Sequence, residues 1–151
     1  MRINLGCGLD MLPGWVNVDA SLDLPGTYNV WDLEELPWPF DDATADEIRG
    51  FDIIEHINGR LVPAFMTECH RILRPGGVMR LRTTYWQWID SYTDPTHTWH
   101  PTEQSFDYWI PGTVLYKAQN IQMGGIAFEK LRVEPNPSTG QMDVILRRPD
   151  A

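Results

Sequence analysis

The sequence predicts an α/β fold: an open, mostly parallel sheet of seven strands, closed by a C-terminal antiparallel hairpin, with reduced helix coverage. Three observations predict it. Seven short apolar runs alternate with Gly/Pro turn signals. One run, between residues 61 and 73, has helical spacing and leads straight into a strand. The intervals between the first three runs are too short to hold crossover helices.

The strands read as Arg2–Leu5, Val16–Asp19, Tyr28–Trp31, Glu47–Arg49, Val78–Thr83, Ile126–Val133 and Met142–Arg147. Turn signals separate them at Leu12-Pro13-Gly14, Leu24-Pro25-Gly26, Leu36-Pro37-Trp38-Pro39, Arg74-Pro75-Gly76-Gly77, Ile110-Pro111-Gly112 and Pro135-Asn136-Pro137. Leu9–Trp15, between the first two strands, has seven residues. A crossover containing a helix takes roughly ten to twelve. Part of the sheet is therefore expected to be bare, covered by aromatic loop residues or by another subunit. Leu61, Phe65, Cys69, Ile72 and Leu73 recur at spacings of three and four. Asn58 or Arg60 opens this helix, Pro63 sits in its first turn, and Arg74-Pro75-Gly76-Gly77 stops it. Strand, helix and strand then close as a right-handed parallel unit. The Pro-, Asn-, Ser- and Gly-rich Glu134–Gln141 joins the last two strands as a hairpin.

The 151 residues, read as one domain, are 42% hydrophobic and 22% charged, as in a globular protein. No apolar run approaches the roughly 20 residues of a membrane span, and no signal peptide precedes the first strand. A cytoplasmic protein is expected, with Cys7 and Cys69 as free thiols. The net charge of -9 disfavours nucleic acid as a partner. Arg71, Arg74, Arg80 and Arg82 read as solvated helix and strand-edge charges.

Asn4-Leu5-Gly6-Cys7-Gly8 follows the first strand. Alone, the Gly-x-Gly fits an ordinary tight turn as well as a backbone that approaches a ligand. Asp19 ends the second strand, where a carboxylate can accept from both hydroxyls of a ribose. Asp32 ends the third, where it can accept from an exocyclic amino group or cap a helix.

These blocks resemble the class I S-adenosylmethionine-dependent methyltransferases of the small-molecule type. The resemblance rests on Leu5-Gly6-Cys7-Gly8, Leu12-Pro13-Gly14-Trp15-Val16-Asn17-Val18-Asp19, Asp32-Leu33, Leu36-Pro37-Trp38, Ile54-Glu55-His56-Ile57 and Leu73-Arg74-Pro75-Gly76-Gly77. It implies a Rossmann-like fold and S-adenosylmethionine as cofactor. Gly6, Cys7 and Gly8 would pass under the methionine part, Asp19 would hold the ribose, and Asp32 with Leu33 the adenine. Phe51 and Asp52 would lie near the sulfonium. An acidic residue usually stands where Asn4 does; the Asn4 carbonyl oxygen could accept from the methionine amino group without the charge. The absent first crossover helix is a second departure.

On the acceptor side, Tyr85, Trp86, Trp88, Tyr92, Trp99, Phe106, Tyr108 and Trp109 read either as a lid replacing missing helices or as a stacking pocket. An Asp-Pro-x-His block recurs in the resembled family, here Asp94-Pro95-Thr96-His97. His97 is the first candidate for a general base. Asp52 and His56 are the other candidate catalytic groups, and Glu55 and His56 can equally be structural. His97-x-x-His100 with Asp94 could bind a metal, but none is expected. The predicted activity is methyl transfer to a small molecule or sugar. The alternatives are a non-catalytic binding subunit and, less favoured, a nucleic-acid methyltransferase. A homodimer is one way to cover the bare sheet.

Overall fold

The computed structural model describes residues 1–26 and 28–150. Its strands are β1 (Arg2–Leu5), β2 (Val16–Asp19), β3 (Asn29–Val30), β4 (Ala45–Phe51), β5 (Leu73–Thr84), β6 (Glu129–Asn136) and β7 (Gln141–Arg147). They form one sheet in the order β3-β2-β1-β4-β5-β7-β6. Pairing is parallel from β3 to β5 and antiparallel at β7 and β6. The predicted sheet with its C-terminal hairpin is the one observed.

Alternation along the strands sorts side chains into two faces. Ile3, Leu5, Val18, Ile48, Met79, Leu81, Met142, Val144 and Leu146 are buried in one core. That core also holds Phe65, Met66, Cys69 and Ile72 of α1 (Val62–Ile72). Pro63 lies in the first turn of α1, and Leu73, expected as its last residue, is already extended. Arg71 ties α1 to the preceding loop: it pairs with Glu68 and Asp42 and donates to the carbonyls of Trp38 and Phe40.

The opposite face does not carry the aromatic loop residues that were one of the two covers expected for it. From β4 to β6 it carries ion pairs: Arg80–Glu47 at 2.7 Å, Arg82–Asp52 at 2.5 Å, Arg132–Glu134 at 3.0 Å, and Arg147–Glu129. Exposed pairs of this kind contribute little stability, ~0–1 kcal/mol each, but they make the face compatible with water. The aromatic residues expected there lie elsewhere; Phe106 and Trp109 belong to the core.

At the β1–β2 end of this face, the ten-residue connection 6–15, made of the glycine turn and Leu9–Trp15, takes the place of the missing helix. Asn4 and Asn17 are register partners, and the Asn4 amide donates to Asn17 Oδ1 at 3.0 Å. Asn4 also donates to the Asp10 carbonyl, while Asn17 accepts from Leu12 N and donates to Leu12 O. Arg49 donates to Asn4 Oδ1 and pairs with Asp10. Two buried amides thus satisfy the loop backbone that a helix would have satisfied internally.

Several boundaries move: β3 shortens to Asn29–Val30, β4 lengthens at both ends, and β6 starts at Glu129, not Ile126. The stretch Arg74–Gly77, predicted as a stop, lies inside β5, where the register with β4 slips between Ala45 and Glu47. β6 runs to Asn136, not Val133, so the hairpin loop shrinks to residues 137–140. Pro135 is tolerated because β6 is an edge strand. Segments that lacked periodicity form short helices: α2 (Asp90–Thr93), α3 (Val114–Gln119), and 3-10 turns at Ile54–His56, Glu103–Trp109 and Asn120–Met123. Their caps are local, with Thr102 and Ser105 bonding reciprocally and Thr113 accepting from Tyr116 N.

Candidate functional site

The carboxyl ends of β1 to β4 open into a cleft of about 290 Å³ lined by Gly6, Asp19, Ala20, Trp31, Asp32, Leu33, Glu34, Ile53, His56 and Ile57. Crevices at strand carboxyl ends are where open α/β sheets bind ligands. Trp31, Leu33, Ile53 and Ile57 give it apolar walls; Asp19 and Asp32 give it carboxylates.

The glycine turn is shaped by close approach. Gly6 has φ +59°, and a Cβ there would stand 2.6 Å from Ile53 Cγ1. Gly8 N donates to Asp19 Oδ2 at 2.8 Å, and Ser21 N to Asp19 Oδ1 at 2.9 Å. Each oxygen keeps a free lone pair, so Asp19 can still accept from ligand hydroxyls. Asp32 Oδ1 accepts from Glu34 N, and Oδ2 has no hydrogen-bond partner among the described residues. The cleft thus brings together two carboxylates, four apolar side chains and the glycine turn.

Of the residues predicted to hold the cofactor, Gly6, Asp19, Asp32 and Leu33 line the cleft, and Gly8 is bonded to Asp19. Cys7 is buried beneath the turn, its thiol pushed up by burial and by Asp19. Asn4, Phe51 and Asp52 are not among the lining residues. Asn4 is committed to the Asp10–Arg49–Asn17 network. Phe51 lies under two guanidinium groups, Arg49 at 3.9 Å and Arg82 at 4.6 Å from its centroid. Asp52, at φ +54°, is held by Arg82 and by Gln141 Nε2. Ala20, Trp31, Glu34, Ile53 and Ile57 were not foreseen. Trp31 and Ile53 directly follow or nearly follow strands, and that position was their only signal.

At one end of the cleft, His56 meets the loop after β5. The His56 and His97 rings pack edge to face, 4.7 Å between centroids. His56 Nδ1 bonds Thr96 Oγ1 at 2.9 Å, and His97 Nδ1 bonds the Ser91 carbonyl at 3.1 Å. The Thr96 hydroxyl and backbone N–H both donate to Asp94 Oδ1, which holds that carboxyl below its usual range. Two of the three predicted catalytic residues, His56 and His97, are therefore adjacent, and Asp52 is bound elsewhere. His100 bonds Ser91 Oγ and stacks on Tyr92 at 4.3 Å.

Glu55 is fully buried and anchors this corner. Its carbonyl accepts from Thr98 N and Trp99 N, and its Oε1 accepts from Thr84 N. Oε2 has no partner among the described residues, and burial raises the carboxyl's pKa. The aromatic segment divides. Trp99, Phe106, Tyr108 and Trp109 pack in or against the core. Tyr85 also packs against it and, with the exposed Trp86, lines a second hollow with Thr102, Glu103 and Gln104.

Residues 5–81, half of the chain, match the family model described as a methyltransferase domain. Over 70 residues the chain is 40% identical to a Mycolicibacterium smegmatis protein named as a probable S-adenosylmethionine-dependent methyltransferase. That match covers 44% of this chain and 26% of the relative, so the chain spans about a quarter of the relative's length. Among solved structures, a chain from the complex of the Haloferax volcanii Trm112 methyltransferase activator with its candidate methyltransferase is similar at TM-score 0.70 and 13% identity, covering 98% of this chain and 82% of that one. An S-adenosylmethionine-dependent methyltransferase from Mesorhizobium loti is similar at TM-score 0.63 and 16% identity, over 97% and 90% of the two chains. At such identities the likeness is one of fold. Among the described residues, no helix is long and apolar enough to cross a membrane.

Proposed function

The chain belongs to the methyltransferase domain family, and from that premise we propose that it binds S-adenosylmethionine in the cleft at its strand ends and transfers the methyl group to a small molecule or a sugar. The observation that carries this reading is the convergence of Gly6, Asp19, Asp32 and His56 on one cleft. When bound, the cofactor supplies a methyl group already activated on a sulfonium. Asp19 accepts from the ribose hydroxyls and Asp32 from the adenine amino group. Trp31, Leu33, Ile53 and Ile57 exclude water. The His56–His97 pair stands on the acceptor side, where a neutral imidazole takes a proton from an attacking hydroxyl or amine.

The hollow with Tyr85 and Trp86 supports the acceptor class. The Tyr85 and Trp86 rings stand edge to face, 6.2 Å between centroids, and either ring beside Thr102, Glu103 and Gln104 suits a sugar or another polyhydroxylated molecule, which stacks its apolar face and bonds at its rim.

Calorimetry with S-adenosylhomocysteine tests the cofactor site. Asp19→Asn should weaken binding by about ten- to a hundredfold, as expected for losing one or two charge-assisted hydrogen bonds. Unchanged affinity would remove Asp19 from the site. Single turnover with methyl-labelled cofactor tests the activity. Retention of label without release of demethylated product identifies a binding subunit instead. His97→Ala should slow turnover more than it weakens cofactor binding, and equal losses would exclude His97 from the chemical step.

A further inference from the structure

We propose that His56, Asp94 and His97 form a binding site for a divalent transition-metal ion beside the cofactor cleft. A ring nitrogen of each histidine and a carboxylate oxygen of Asp94 lie within 4.8 Å of one another.

Hydrogen-bond logic fixes which nitrogens are basic. His97 Nδ1 bonds a carbonyl, which only accepts, so Nδ1 carries a proton and, in the neutral ring, Nε2 holds the lone pair. The Thr96 hydroxyl spends its proton on Asp94 Oδ1, so toward His56 Nδ1 it can only accept. His56 is therefore also protonated at Nδ1, with Nε2 as its basic nitrogen. Donation from the far nitrogen to an oxygen is the arrangement that orients histidines bound to metals.

Asp94 uses Oδ1 for Thr96 and turns Oδ2 toward His97 Nε2 at 3.9 Å. That is too long for a hydrogen bond, and it sets two lone-pair-bearing atoms facing each other. A cation between them relieves the repulsion. Bonds of about 2.0–2.2 Å to nitrogen and oxygen span up to ~4.2 Å across one ion, and tetrahedral ligands stand about 3.4 Å apart. Loading the site thus closes it by up to ~1.4 Å, with Asp94 on the exposed loop. Imidazole and carboxylate together favour zinc, iron, cobalt or nickel over magnesium or calcium. Three protein ligands leave positions open for an oxygen or nitrogen donor of a second molecule. Since His56 also lines the cleft, that donor is the methyl acceptor. This last step rests on the proposed function and applies to the metal-loaded chain; in the metal-free chain the same histidines remain the bases.

Cobalt(II) titration of the untagged chain, followed by visible absorption, and zinc calorimetry test the site. One ion per chain should bind with cobalt d–d bands of a site containing nitrogen ligands. His97→Ala and Asp94→Asn should each weaken uptake by at least about tenfold, while His100→Ala, which removes the neighbouring histidine outside the cluster, leaves it unchanged. Circular dichroism melts establish that each variant is folded, and His97→Gln replaces His97→Ala should the latter unfold. Wild-type uptake no stronger than that of His97→Ala, or equal loss in His100→Ala, would overturn the proposal. S-adenosylhomocysteine binding to the metal-free chain is measured on the same samples. Its survival alongside failed metal uptake sinks the metal site alone; its loss sinks the cofactor site.

Discussion

Single atoms decide the shape of the site. Gly6 combines a left-handed φ of +59° with a neighbour, Ile53, that leaves no room for a Cβ. Gly6→Ala should therefore cost about 1–3 kcal/mol and displace a cleft wall. A drop in melting temperature accompanied by weaker S-adenosylhomocysteine binding checks it. Glu55 makes a prediction about pH. Its raised pKa means that the folded chain holds a proton which the unfolded chain releases near pH 4.3. Its contribution to stability is complete below that value and is lost as pH rises toward the folded pKa. Glu55→Gln cannot ionise and keeps the acceptor for Thr84 N. The variant should gain melting temperature over wild type at pH 8 and little at pH 4, and an equal difference at both would remove the burial argument.

At the scale of elements, polar side chains do the work that missing helices would do. Asn17 satisfies both the N–H and the carbonyl of Leu12. Asn17→Ala should cost about 1–3 kcal/mol, because buried groups lose partners, and should raise amide exchange in the loop from Leu9 to Trp15 while α1 stays protected. Arg71 holds α1 against the segment from Trp38 to Asp42 through three acceptors there, and it also bonds Glu68 on its own helix. Removing it leaves the nearly buried Glu68 carboxylate unpaired. Arg71→Ala should lower stability by ~1–3 kcal/mol in denaturant titrations, with part of the loss recovered at low pH, where Glu68 is protonated. The pH direction follows from Glu68 itself: its pKa is lowered by Arg71, so its contribution is present above the unfolded value and disappears as pH falls.

For the whole molecule, the sheet has one dry face and one charged face. A parallel sheet is ordinarily covered on both sides; here Arg80, Arg82, Arg132 and Arg147 with their acidic partners replace a layer of helices. A face of paired charges offers little apolar area for self-association. Sedimentation should show a monomer at micromolar concentration. A stable dimer that dissociates at high salt would show that these charges pair between chains.

The mostly parallel sheet, the hairpin and the single long helix were legible because periodicity is local: Leu61, Phe65, Cys69 and Ile72 declare a buried stripe, and the seven residues Leu9–Trp15 after the glycine turn cannot hold a crossover helix. The order of the strands in the sheet was not. Gly6, Asp19 and Asp32 were legible because each sits at a strand end, which topology sends to one crevice. What covers the second face was not legible, since Arg80 and Glu47 are 33 positions apart and only pairing of β4 with β5 makes them partners. Nor was the use of Asn4, whose side chain reads as a free acceptor until Arg49 and Asp10 close around it. The meeting of His56 with Asp94 and His97 is of the same kind. Sequence determined which groups could bear charge or lone pairs; contact across the fold decided which lone pairs were spent and which were left to face one another.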